Sequence, residues 1–261
     1  MSSACVIGSC YDRVGGPSGL AGAAIDHATS LAEAGWRVDV VTRVGLDASG
    51  DAARACWRKA GVDDSRVQTD PDLGTGRWWP RRRGTELPWI ESGAAFDNLQ
   101  WDGDLASAAA SAALLVSDLT GRRNAQARST IDRVLVEAPA ALRVLDLTGA
   151  GVAEVATDSA PLRSGLDHAD LVVVDATGLR RAGLSEDGST ASLRRRFRGT
   201  VLVWSPGEPI RIETSDGEAS GVTPLPVERH PAPAFAAILR SEGGGSEVIA
   251  EIERCFDEPR R

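Results

Sequence analysis

The chain has 261 residues, 42% hydrophobic and 25% charged, a balance that excludes collagen-like, coiled-coil and wholly disordered architectures and allows a large buried core. Twenty-nine basic against thirty-seven acidic side chains give a formal net charge of −8, which repels a phosphate backbone and argues against a general nucleic-acid binder. No run approaches the roughly 18 apolar residues of a membrane span, and the opening MSSACVIGSC lacks the basic-then-apolar order of a leader, so a cytoplasmic protein is expected.

In chain order the periodicity predicts a strand at Ala4 to Gly8, a glycine-rich turn, a helix at Ala21 to Ala34, a strand at Trp36 to Thr42 and a helix at Asp51 to Ala60. A strand at Ala112 to Ser117, a helix at Ala125 to Glu137 and strands at Leu142 to Leu147, Leu171 to Asp175 and Val201 to Ser205 follow. Runs such as LVVVD and VLVW are apolar on both faces, as a parallel sheet covered by helices on each side requires. A layered α/β domain over 1–240 is expected, with SEGGGS at Ser241 to Ser246 as a flexible joint and a short C-terminal helix at Glu247 to Phe256 completing 241–261.

Gly76 to Trp101 breaks the alternation, carrying four of the seven tryptophans and four arginines. It reads either as a surface hairpin with tryptophans inward and arginines in water, or as a stacking or subunit-contact surface built on Trp78, Trp79 and Arg81. Cys5, Cys10, Cys56 and Cys255 form no C-x-x-C pair, and His27, His168 and His230 do not join them at metal-ligand spacing, so no metal site is expected. Nor do the histidines show a motif pairing with a nucleophilic Ser or Cys. Gly15 to Gly19 lacks the Lys-Ser/Thr of a phosphate loop and reads as a tight turn. The run LRRRFR at Leu193 to Arg198 reads as a solvated helix end, an acidic partner being the alternative.

One stretch is more specific. Val44-Gly45-Leu46-Asp47-Ala48-Ser49-Gly50 followed by Gly61-Val62-Asp63 resembles the V-G-x-D-x-x-G and G-V-D of the ribokinase-like, or PfkB, carbohydrate and nucleoside kinases. Thr75-Gly76, Gly93-Ala94 and HADLVVVDATG at His168 to Gly178 extend the resemblance more loosely. It implies a layered α/β/α domain with a mostly parallel central sheet and a reduced β lid at about 76–92. It also implies sugar contacts at Asp12, Gly22 and Asp26, though a turn-capping Asp12 and an exposed helical Asp26 fit the residues as well.

Phosphoryl transfer needs a carboxylate to take the acceptor's proton, and backbone donors with a magnesium ion to meet the charge on the moving group. The resemblance implies D-T-x-G-A-G-D and N-x-x-E for these roles, and this chain departs from both. His230-Pro231-Ala232-Pro233 stands where G-A-G-D belongs, with Pro233 in the base position, and Asp175-Ala176-Thr177-Gly178 lacks the Glu. A look-alike, Asp146-Leu147-Thr148-Gly149-Ala150-Gly151, falls at the end of a middle strand, with Gly149, Ala150 and Gly151 as an alternative anion loop. Only nine residues separate Asp12 from Gly22, which reads as too few for the first lid strands.

A degenerate homologue is therefore expected, serving as a non-catalytic small-molecule-binding or assembly subunit. Such a protein would take a sugar- or nucleoside-like polar molecule, need no cofactor and form a homodimer or part of a complex. The alternatives are an active kinase using ATP and Mg with Asp146 or Asp175 as an unusual carboxylate, and an interaction module working through the Trp/Arg segment.

Overall fold

The computed structural model describes residues 3–14, 19–79, 89–148, 159–204, 207–215, 217–224, 234–235, 249–250 and 252. The elements are β1 (Ser3–Ile7), β2 (Tyr11–Arg13), β3 (Gly19–Ala21), α1 (Ala23–Glu33), β4 (Arg37–Val41), β5 (Arg43–Gly45), α2 (Ala48–Ala60), β6 (Gln68–Asp70), β7 (Gly76–Trp79) and β8 (Trp89–Ile90). Next come α3 (Gly103–Ser111), β9 (Leu114–Asp118), α4 (Ala125–Val136), β10 (Leu142–Leu147), α5 (Ser159–His168), β11 (Leu171–Val174), α6 (Ala176–Arg181), α7 (Ala191–Arg196), β12 (Thr200–Val203), β13 (Pro209–Thr214) and β14 (Gly217–Pro224).

Eight strands form the central sheet in the order β14-β13-β12-β11-β10-β9-β1-β4. From β4 to β12 every pairing is parallel, and β13 and β14 add an antiparallel hairpin at one edge. Because successive strand side chains point to opposite faces, β1 sends Ala4 and Val6 to one core and Cys5 and Ile7 to another. The first core packs under α1 and α2, and Phe235, Ile249 and Ile252 are buried in it. The opposite face packs against α3 and α4 at one end and α5, α6 and α7 at the other.

Helix boundaries follow local chemistry. Asp47, Asp102, Asn124 and Asp175 each cap a helix by accepting a backbone N–H from its first turn. Helix α1 starts at Ala23 rather than Ala21 because Gly22 has φ 108°, outside the helical region. Helix α2 starts three residues earlier than its apolar period suggests, set by the Asp47 cap, and stops at Gly61 in the left-handed conformation.

A second sheet, β3-β2-β7-β8, lies over one end of the first. The expectation that the stretch before Gly22 is too short for lid strands is thereby corrected: β2 and β3 pair antiparallel within Tyr11 to Ala21. Three-residue strands span only about 10 Å, so both arms fit. The Trp/Arg segment supplies the other half, β7 pairing with β8 antiparallel and with β2 in parallel. Among the described residues no helix is long and apolar enough to cross a membrane.

Candidate functional site

In an open parallel sheet, ligands gather beyond the carboxyl ends of the strands. Here β9 ends on Asp118 and β10 carries Asp146, and the register sets the two side by side. Helix α1 starts close to them because Gly8 follows β1; a Cβ at Gly8 would lie 2.7 Å from the Ala23 methyl.

Both carboxylates are buried, and each of their oxygens accepts a bond from a protein group. Asp118 accepts the Ser9 hydroxyl at 2.7 Å and the Gly121 N–H at 2.8 Å. Burial pushes its carboxyl above the ordinary range, against those two bonds. Asp146 meets Nε2 of His27 at 2.9 Å and accepts the Thr148 N–H at 2.7 Å. Burial alone would raise its carboxyl too, but the bond and charge of His27 outweigh it and hold Asp146 below the usual range. The His27 ring also meets the Phe235 ring, centroids 5.9 Å apart, so the chain just after position 233 packs beside this pair.

Of the residues expected to contact a sugar, Gly22 and Asp26 come together, the Gly22 N–H reaching the Asp26 carboxylate at 3.2 Å. Asp26 is not an exposed helical acid, as one expectation had it: it is half-buried, and loss of solvent raises its carboxyl. Asp12 lies within lid strand β2 rather than capping a turn, and accepts the Ser49 hydroxyl at 3.2 Å. Trp78 is half-buried, stacked on Tyr11 at 6.4 Å between centroids, with the Arg13 guanidinium 5.9 Å from its ring. Trp79 is half-buried in the same strand. Arg81, Gly149, Ala150, Gly151 and Pro233 lie outside the described residues.

The V-G-x-D-x-x-G stretch acts as a clasp at the foot of the lid. Asp47 accepts N–H groups from Gly50 and Thr75, each at 2.7 Å, and the Thr75 hydroxyl at 2.8 Å. Glycine is required at both ends of the motif: a Cβ at Gly45 would sit 2.5 Å from the Thr75 nitrogen, and one at Gly50 2.2 Å from the Gly45 carbonyl oxygen. The motif therefore ties α2 to β7.

Ser9, Tyr11, Ile90, Phe96, Thr120 and Arg123 are among the residues bounding a cavity of about 10 Å³, room for one water. Arg123 latches the lid by donating to the Ile90 carbonyl at 3.0 Å, to the Glu91 carbonyl and to the Asp97 carboxylate.

Two positions bear on the other implied carboxylates. Asp175 caps α6 by accepting the Gly178 N–H. At Gly178, where the resemblance implies Glu, a Cβ would lie 1.6 Å from the Leu147 carbonyl oxygen, so helix α6 presses directly on the end of β10. Among the described residues no group of three or more His, Cys, Asp or Glu is placed to hold a metal ion.

The His27–Asp146 pair had no local signal, its partners being 119 residues apart. Asp118 was equally hidden, although an acid closing the apolar run LLVSD is the pattern of a functional strand end.

This arrangement, a parallel sheet under helices on both faces and capped by a small lid sheet, defines the ribokinase-like fold. Solved structures with it include a PfkB protein from Polaromonas sp. JS666, with TM-score 0.72 and 19% identity over 98% of this chain and 94% of that one. An uncharacterized sugar kinase from Pyrococcus horikoshii has TM-score 0.74 and 13% identity over 97% and 90%. A fructokinase with bound ATP from Xylella fastidiosa has TM-score 0.68 and 17% identity over 98% and 88%. No protein-family model matches the sequence, and no curated protein matches it either. The likeness is one of fold.

Proposed function

We propose that this protein is a non-catalytic homologue of the PfkB sugar kinases, acting in the cytoplasm as a binding or assembly subunit. The observation that carries this reading is the state of the two strand-end carboxylates. Asp118 and Asp146 are buried, and every one of their oxygens already holds a bond to Ser9, Gly121, His27 or Thr148, so an acceptor hydroxyl would have to compete with these partners inside the protein.

The sequence supports the same reading: proline at 233 has no carboxylate, and glycine at 178 has no side chain. Losing a positioned base alone costs roughly 10²- to 10⁴-fold in rate. The active-kinase alternative has less support, since Asp146 is hydrogen-bonded to His27 and Asp175 caps a helix. A sugar- or nucleoside-like ligand would enter only after the Arg123 latch lets the lid rise. The Trp78 and Trp79 edge of the lid is the surface proposed for self-association or a partner.

The test is purified protein with ATP, magnesium and a panel of sugars and nucleosides. No substrate-dependent ADP release above a blank is expected, and metal-dependent release with any acceptor would overturn the proposal.

A further inference from the structure

A cavity of about 310 Å³ opens between α5 and α7, lined by Leu162, Arg163, Leu166, Asp167 and Arg196. That volume is at the small end of ligand pockets. Its place in the fold separates it from the lid cleft. Helix α5 ends at His168 and α7 at Arg196, each shortly before the strand it feeds, β11 from Leu171 and β12 from Thr200. Asp167 and Arg196 therefore lie at the amino-terminal edge of the parallel sheet, opposite the edge that carries Asp118 and Asp146.

The lining is chemically divided. Leu162 and Leu166, one turn apart on α5, belong to the buried core and give an apolar floor. Arg163 and Arg196 are exposed and bring two guanidiniums from two different helices. The arginines of α7 are not equivalent. Arg194 donates to the Gly199 carbonyl at 2.6 Å and Arg195 to the Ser192 hydroxyl at 2.7 Å. Arg196 makes no hydrogen bond or ion pair among the described residues, and neither does Asp167.

We propose that this groove binds a small organic monocarboxylate with an apolar body, the body resting on Leu162 and Leu166 and the carboxylate meeting Arg196, with the positive charge of Arg163 beside it. Asp167, one turn beyond Arg163, sets the selectivity. Its charge repels a second negative charge on the ligand, so a monoanion binds better than a phosphate monoester. The site does not depend on the kinase-like reading of the lid cleft.

The test is a calorimetric titration of the full chain with 3-phenylpropionate, its neutral counterpart 3-phenylpropanol, and phenyl phosphate. Saturable one-site binding of the propionate is expected, with the alcohol and the phosphate each several-fold weaker. An exposed charge pair is worth a factor of about 1.5 to 5 in affinity, so Arg196→Glu, which turns attraction into repulsion, should weaken the propionate by about two- to twenty-five-fold. Asp167→Asn should strengthen the propionate and bring phenyl phosphate up towards it. Both positions are exposed, so the variants should keep the parent's circular dichroism and melting. Equal binding of propionate and propanol, an unchanged affinity in Arg196→Glu, or no binding of the propionate would each overturn the proposal.

Discussion

Replacing His27 by Ala should destabilise the protein in a way that reverses with pH. The ring is 1% exposed, its Nε2 lies 2.9 Å from the Asp146 carboxylate, and that carboxylate keeps only its bonds from Thr148 once the ring is gone. Breaking a buried charged pair from one side costs about 3–5 kcal/mol. The surviving Thr148 bond places the expected loss at about 3 kcal/mol near pH 7, a large share of a typical domain's stability. In the native protein the Asp146 carboxyl is held low, so its contribution is full above the ordinary carboxylate range and disappears as pH falls through the lower folded value. In the variant, burial is left without its main opponent and the folded value rises. Stability should then increase as pH is lowered from 7 towards 4, where a neutral acid is easier to bury. Urea unfolding of both proteins at several pH values, read as a midpoint shift at constant slope, measures this. A variant that tracks the native curve at every pH, or differs by less than about 1 kcal/mol at pH 7, would refute the assignment of His27 as the partner that keeps Asp146 charged.

Three further outcomes are expected. Arg123→Ala removes the latch on β8, so amide exchange should speed up at Trp89 to Glu91 and in β7 while β9 and β10 keep their protection; uniform exchange across lid and sheet would count against a latch. Gly178→Ala places a methyl 1.6 Å from a backbone oxygen, so a loss of about 3 kcal/mol or more, or failure to fold, should appear in thermal melts, and a neutral result would mean that α6 does not press on β10. Ser9→Ala takes one of two donors from buried Asp118 and should cost about 1–3 kcal/mol near neutral pH. Asp118 titrates above its unfolded value, so that loss should shrink as pH falls through the raised folded value, and a pH-independent loss would contradict it.

The central sheet was legible because β11 and β12 are apolar on both faces, a pattern that only a covered parallel strand satisfies. Helix starts were less so where a cap outweighs the apolar period, as at Asp47. The β2–β3 arm was missed because three residues carry no measurable alternation. The run PIRIET of β13 does alternate, with Ile210 and Ile212 buried, and was a readable strand that went unpredicted, whereas β14, GEASGVTP, is mostly small and polar. At the candidate site, Asp26 was singled out only through resemblance. The pairing of His27 with Asp146 depends on two elements that meet only after the sheet has formed, and no local spacing encodes it.

The contact between Gly178 and the end of β10 also limits what this position can accept. Placing any side chain there would require the helix to withdraw first, and its cap at Asp175 and its buried Leu179 hold it where it is. A single substitution cannot move from this arrangement to one with a side chain there. The contact works as a ratchet, released only by rebuilding the whole turn.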